Sequence, residues 1–99
     1  DKDRINTLLG SVRAWRQRTG ASVVMNEFGV YRGRSNDHSP VPYAARQRWM
    51  TDVRSAVEKE GIPWALWNLR GDFGITVRLM PPTHRLVLED FDRNLLRSL

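Results

Sequence analysis

Two residues have the chemistry for a reactive site, and each closes an apolar run. Glu27 follows Ser22-Val23-Val24-Met25-Asn26, and Trp67 stands in Trp64-Ala65-Leu66-Trp67-Asn68-Leu69. A carboxylate ending an apolar strand is costly to desolvate unless its charge is used, which makes Glu27 a candidate functional group. The equal alternative is a glutamate that reaches water at the strand exit, or pairs with an arginine such as Arg32 or Arg70. Trp67 alone fits a core position better than a site, because aromatic side chains dominate buried area. Tyr31, Arg32, Asn36 and His38 lie in a polar loop that could border a cleft, though each fits simple loop polarity as well. A single histidine gives no metal signal, and no metal or cofactor is expected.

The elements that must position these residues follow from hydrophobic period. Ile5, Leu8, Leu9, Val12 and Trp15 recur at three- and four-residue steps, which predicts a helix running to about Arg18, stopped by Gly20. The run from Ser22 to Asn26 is β-branched and apolar on both parities, the pattern of a parallel strand covered on both faces. Residues 28–41 form a polar connection. Pro40 and Pro42 then set up a second helix ending at Lys59 and Gly61, with Ala45, Trp49, Met50, Val53, Ala56 and Val57 inward. Arg46, Arg48, Asp52, Arg54 and Glu58 are assigned to its solvent side.

A second strand, Ile62 to Asn68, completes a βαβ crossover, which is parallel and right-handed in almost every known case. An irregular stretch with Pro81-Pro82 leads to a closing helix that includes Phe91, Leu95, Leu96 and Leu99. Alternation along a strand places Val23, Met25 and Glu27 on one face, and Pro63, Ala65 and Trp67 on one face. Both series end at the C-terminal end of a strand, where barrels of βα units carry their active sites. There is no internal repeat and no low-complexity segment.

Composition narrows the class. A chain of 99 residues with 40% hydrophobic content and four Trp can build an ordinary core and is not expected to be disordered. The net charge of +5 is spread from Arg4 to Arg97, the pattern of solvated helical surfaces more than of a nucleic-acid footprint. Without cysteine there is no disulfide framework, thiolate metal site or thiol nucleophile. No apolar stretch approaches the roughly 20 residues that span a bilayer, so neither nucleic acid nor membrane is an expected partner. The charged start, Asp1-Lys2-Asp3-Arg4, has no signal-peptide character and no initiator Met, which suggests a mature or internal piece of something longer.

The segment Val23-Val24-Met25-Asn26-Glu27-Phe28-Gly29 resembles the Glu-Phe-Gly motif that ends strand seven of glycoside hydrolase family 5, the cellulase family. Trp64-Ala65-Leu66-Trp67-Asn68-Leu69, followed by Gly71-Asp72-Phe73-Gly74-Ile75, is similar to that family's strand eight and its loop. The intervening Arg46-Gln47-Arg48-Trp49 helix also fits, and a weaker likeness extends through Asp90-Phe91-Asp92-Arg93. The family's general acid/base also sits in an Asn-Glu pair, at the end of strand four. That pair is usually followed by proline, and four more strands would have to follow where this chain has one.

The resemblance therefore implies an α/β chain forming the C-terminal quarter (helix 6, strand 7, helix 7, strand 8, helix 8) of a TIM (β/α)8 barrel, with residues 1–99 as one partial domain. It implies a retaining endo-glycosidase acting on a β-1,4-linked polysaccharide such as cellulose or β-glucan, with mannan, xyloglucan and chitosan as alternatives. Glu27 would be the nucleophile, Trp67 the stacking floor for the sugar, and Asn68, Tyr31 and Arg32 substrate-binding neighbours. The peptide after the tryptophan is often cis in the family. Retaining enzymes need a second carboxyl about 5 to 5.5 Å from the first, and this chain supplies only two of the eight strands. The isolated chain is thus expected to be inactive, and to associate either with an N-terminal remainder of the barrel or with itself. A secreted or periplasmic location follows from the same resemblance. Two other readings remain: a small basic α/β module for polyanions, and a non-catalytic carbohydrate-binding or oligomerising remnant.

Overall fold

The computed structural model describes residues 2–33, 41–77, 87 and 90–99. Helix α1 (Lys2–Thr19) leads to strand β1 (Met25–Phe28), helix α2 (Tyr43–Lys59), strand β2 (Trp64–Leu66) and a short helix α3 (Arg93–Leu96). The two strands form a parallel sheet, so the expected βαβ unit is present. Both strands are shorter than their apolar runs, and β1 begins three residues after Ser22. Only Met25 to Phe28 find a partner strand, since main-chain pairing and not side-chain apolarity ends a ladder. The closing helix is likewise a single turn, begun by the Asp92 side chain accepting from the Leu95 amide.

Helices α1 and α2 pack on the same side of the sheet. Leu9, Phe28, Val53, Val57 and Ile62 form one buried cluster, flanked by Ile5, Val12, Val23, Met25, Trp64 and Leu66. The Phe28 and Trp64 rings meet edge to face with centroids 5.2 Å apart, tying the two strands on this side. A second cluster of Met50, Ile75 and Leu95 lies under α3. Gly20, at φ +69°, ends α1 in the left-handed conformation and returns its amide to the Arg16 carbonyl at 2.8 Å. The apolar stripe read for α1 divides: Ile5, Leu9 and Val12 face the core, while Leu8 is 62% and Trp15 42% exposed.

The sheet departs from simple alternation. Met25 pairs with Trp64 and Phe28 with Leu66, so three steps along β1 match two along β2, with a register shift between. Trp64 and Leu66 share a face, and therefore Met25 and Phe28 share it too. Glu27, next to Phe28, projects to the other side. Contrary to the alternation read from sequence, Glu27 does not share a face with Val23 and Met25, both of which pack on the helix-side cluster.

The face opposite the helices is open. Val24, Glu27, Pro63, Ala65 and Trp67 are all exposed, Val24 by 60%, so the strands expected to be covered on both faces are covered on one. The radius of gyration, 15.5 Å, exceeds the roughly 13 Å of a closed domain of about 100 residues, as an open slab requires. Among the described residues, no helix is long and apolar enough to cross a membrane, and no group of three His, Cys, Asp or Glu side chains could hold a metal.

Candidate functional site

Glu27 and Trp67 line one groove of about 590 Å³. Its walls include Leu8 of α1, Gly29, Trp49 of α2 and Phe73, and among the described residues Glu27 is the one ionisable side chain that lines it. Residues of β1, of both long helices and of the chain after β2 line the groove together. A carboxylate in an aromatic-lined concavity is an arrangement that charge developing on a bound ligand can exploit. Trp67 is 49% exposed, a large apolar ring face offered beside that carboxylate. Among the described residues no second carboxylate lines the groove.

Glu27 and Trp67 are held together by their backbone neighbours. The Trp67 amide donates to the Phe28 carbonyl at 2.7 Å, extending the ladder one residue past β2. The next residue, Gly29, has no room for a side chain: a Cβ there would stand 1.9 Å from the Trp67 carbonyl oxygen. The glycine after Glu27-Phe28 is thus dictated by the close approach of the main chain carrying Trp67. The Trp67-Asn68 peptide is cis. Asn68 is half-buried, and its Oδ1 is shielded from solvent with no hydrogen-bond partner among the described residues, an acceptor still to be satisfied.

The loop residues separate by role. The Tyr31 ring packs on Phe73 at 5.7 Å, at the rim of the groove that Phe73 lines. Arg32 turns away from the groove: its amide donates to the Asp72 carbonyl at 2.8 Å and its guanidinium donates to the Gly74 carbonyl. Desolvation lowers its pKa, opposed by the charges of Asp72 and Asp92. Asn36 and His38 lie outside the described residues.

Arg46 overturns the sequence reading of α2. Assigned to the solvent side, it is only 5% exposed, and its Nε donates to the Val30 carbonyl at 3.1 Å while its Nη2 donates to those of Phe73, at 3.2 Å, and Gly74. Burial lowers its pKa first, the nearby Arg32 charge second. The signal was present in the spacing: Arg46, Met50, Val53 and Val57 form the buried line of α2 at steps of four, three and four. Its neighbour Tyr43 donates to both carboxylate oxygens of Asp92, at 2.5 and 2.6 Å. Partial burial of the hydroxyl and that bond push its pKa up to about 12.

No protein-family model matches the chain, and no curated protein matches it. Solved structures do. The cellulose synthase subunit Z from Clostridioides difficile is similar with a TM-score of 0.75 and 25% identity, over 98% of this chain and 27% of that one. A hyperthermophilic endo-β-1,4-glucanase in complex with substrate gives 0.75 and 22%, over 98% and 26%. Cel5A of Thermotoga maritima in complex with mannotriose gives 0.78 and 20%, over 100% and 27%. The chain therefore has the fold of part of a cellulase-type endoglucanase, and it spans about a quarter of the length of these structures.

Proposed function

We propose that this chain is the C-terminal quarter of a retaining β-1,4-glycosidase barrel of the glycoside hydrolase family 5 type, contributing strands seven and eight and the nucleophile Glu27. The observation that carries this reading is the shared groove, which a carboxylate at a strand end and an exposed indole line together, with no other charged side chain among the described residues there. In such an enzyme Glu27 attacks the anomeric carbon while a second carboxyl, from another part of the barrel, protonates the leaving oxygen. Water, activated by that second group, then releases the sugar from Glu27 with the original configuration restored. Trp67 stacks on the apolar face of the pyranose next to the scissile bond. Tyr31 borders the same cleft, and Arg32 supports it from beneath through the loop after β2.

The substrate class is β-linked polysaccharide or its oligosaccharides, with a β-1,4-glucan first and mannan as the alternative that the mannotriose-bound neighbour motivates. The open sheet face and the unpaired edge of β1 are covered by an N-terminal remainder of the barrel, or by a second copy, and a secreted or periplasmic setting accompanies the polysaccharide substrate. Two measurements test the proposal. In the full-length polypeptide carrying this sequence, Glu27→Gln removes turnover of soluble β-glucan while binding of cello-oligosaccharide persists; retained turnover overturns the assignment. The purified 99-residue chain is inactive on the same substrate, since among the described residues one carboxylate lines the groove where the reaction needs two.

A further inference from the structure

We infer that Arg46 is a positioning residue: one guanidinium on α2, buried beneath the loops that follow β1 and β2, holds carbonyl groups of both loops and so sets the spacing between Glu27 and Trp67. This rests on the glycosidase reading above. The Val30 carbonyl belongs to the loop leaving Glu27, three residues on, and the Phe73 and Gly74 carbonyls to the loop leaving Trp67. Phe73 itself lines the groove with both. A planar guanidinium presents its donors in a rigid fork to carbonyls on two separate segments, a geometry that the compact ammonium of lysine does not preset.

The burial of a cation here calls for a reason. A guanidinium taken from water costs more than an apolar side chain of similar volume at the same helix position, where Met50, Val53 and Val57 continue the line. The side-chain hydrogen bonds of Arg46 among the described residues end on main-chain oxygens, so its work is to hold backbone. Arg32 adds a second donor to the Gly74 carbonyl, which leaves Val30 and Phe73 as the contacts that Arg46 alone makes of the two residues.

The test uses the full-length polypeptide with Arg46→Met and Arg46→Lys, soluble β-glucan as substrate, and Glu27→Gln alongside. A misplacement of the reacting groups by about 1 Å costs on the order of 100-fold in rate, so kcat is expected to fall by about that factor in both variants. KM stays near its original value because Trp67 still offers its ring, and the pH profile keeps its limbs because Arg46 exchanges no proton with the sugar. Full kcat in a folded variant, or a raised KM with kcat intact, overturns the inference. So does failure of both variants to fold, which makes Arg46 a residue of the fold alone. If Glu27→Gln keeps its turnover, the glycosidase reading itself has failed; a dead Glu27→Gln beside fully active Arg46 variants sinks only the positioning role.

Discussion

Replacing Gly29 with alanine isolates the contact on which the site depends. Gly29 is not in the left-handed region, so alanine meets no backbone penalty there, and the whole effect is steric. The new methyl would stand 1.9 Å from the Trp67 carbonyl oxygen, and an ordinary contact of 3.4 Å calls for a movement of about 1.5 Å. That movement parts the Trp67 amide from the Phe28 carbonyl, now 2.7 Å away, well beyond hydrogen-bond range. Loss of the bond costs about 1 kcal/mol and the overpacking about 1 to 3 more, for a total of about 2 to 4 kcal/mol. With a urea dependence of about 1 to 3 kcal/mol/M, the unfolding midpoint of the polypeptide should drop by on the order of 1 to 2 M. Gly10→Ala supplies the contrast: it lies inside α1 with nothing within 4 Å of its added methyl, and should stabilise by up to about 1 kcal/mol. Midpoints that move in the same direction for both variants refute the steric argument.

Other expectations concern packing and charge. Met50 is fully buried between α2 and α3, and Met50→Ala should cost about 2 to 5 kcal/mol in denaturant unfolding; a cost near zero means the second cluster does not form. Arg13 bonds to the Glu60 carboxylate at the C-terminal end of α2 and holds its pKa below the ordinary 4.5. A depressed carboxylate contributes stability above its unfolded value that disappears as pH falls through the folded one. The melting temperatures of the parent and Glu60→Gln should therefore differ at neutral pH and converge below about pH 4.5, whereas a gap that persists in strong acid contradicts the pairing. In Asp92→Asn, ultraviolet titration should show the Tyr43 pKa falling from about 12 but staying above 10.0, because burial of the hydroxyl remains when the carboxylate is gone; an unmoved titration excludes the bond.

Much of the scaffold is legible in residue spacing, and the misreadings have particular causes. The second helix ends where its apolar period ends, at Lys59, because its stripe packs on a sheet that the chain itself provides. The apolar stripe of the first helix is broader than its core contact, since Leu8 borders the open groove and Trp15 is 42% exposed. Arg46 sits in the buried line of α2 while carrying a charge, and residue type argued against a position that period argued for. Hydrogen bonding to two loops decided it, and loop carbonyls leave no trace in a pattern of side chains. The Glu-Phe-Gly and Trp-Asn motifs are visible as residues, but the reason for the glycine is the approach of the Trp67 main chain, far along the sequence.

The register shift in β1, and not strict alternation, brings Glu27 and Trp67 to one groove. Strict alternation, applied to the pairing of Met25 with Trp64, would send Glu27 to the face of Trp64 and Leu66, into the apolar cluster under the helices. Trp67 would then lie on the opposite side of the sheet, and no pocket could hold both. One extra residue in β1 reverses the parity before Phe28, so that Phe28 fills the core and Glu27 turns to the open face with Trp67. The bulge, more than the alternation it interrupts, is what allows a carboxylate and an indole from adjacent strands to line the same groove.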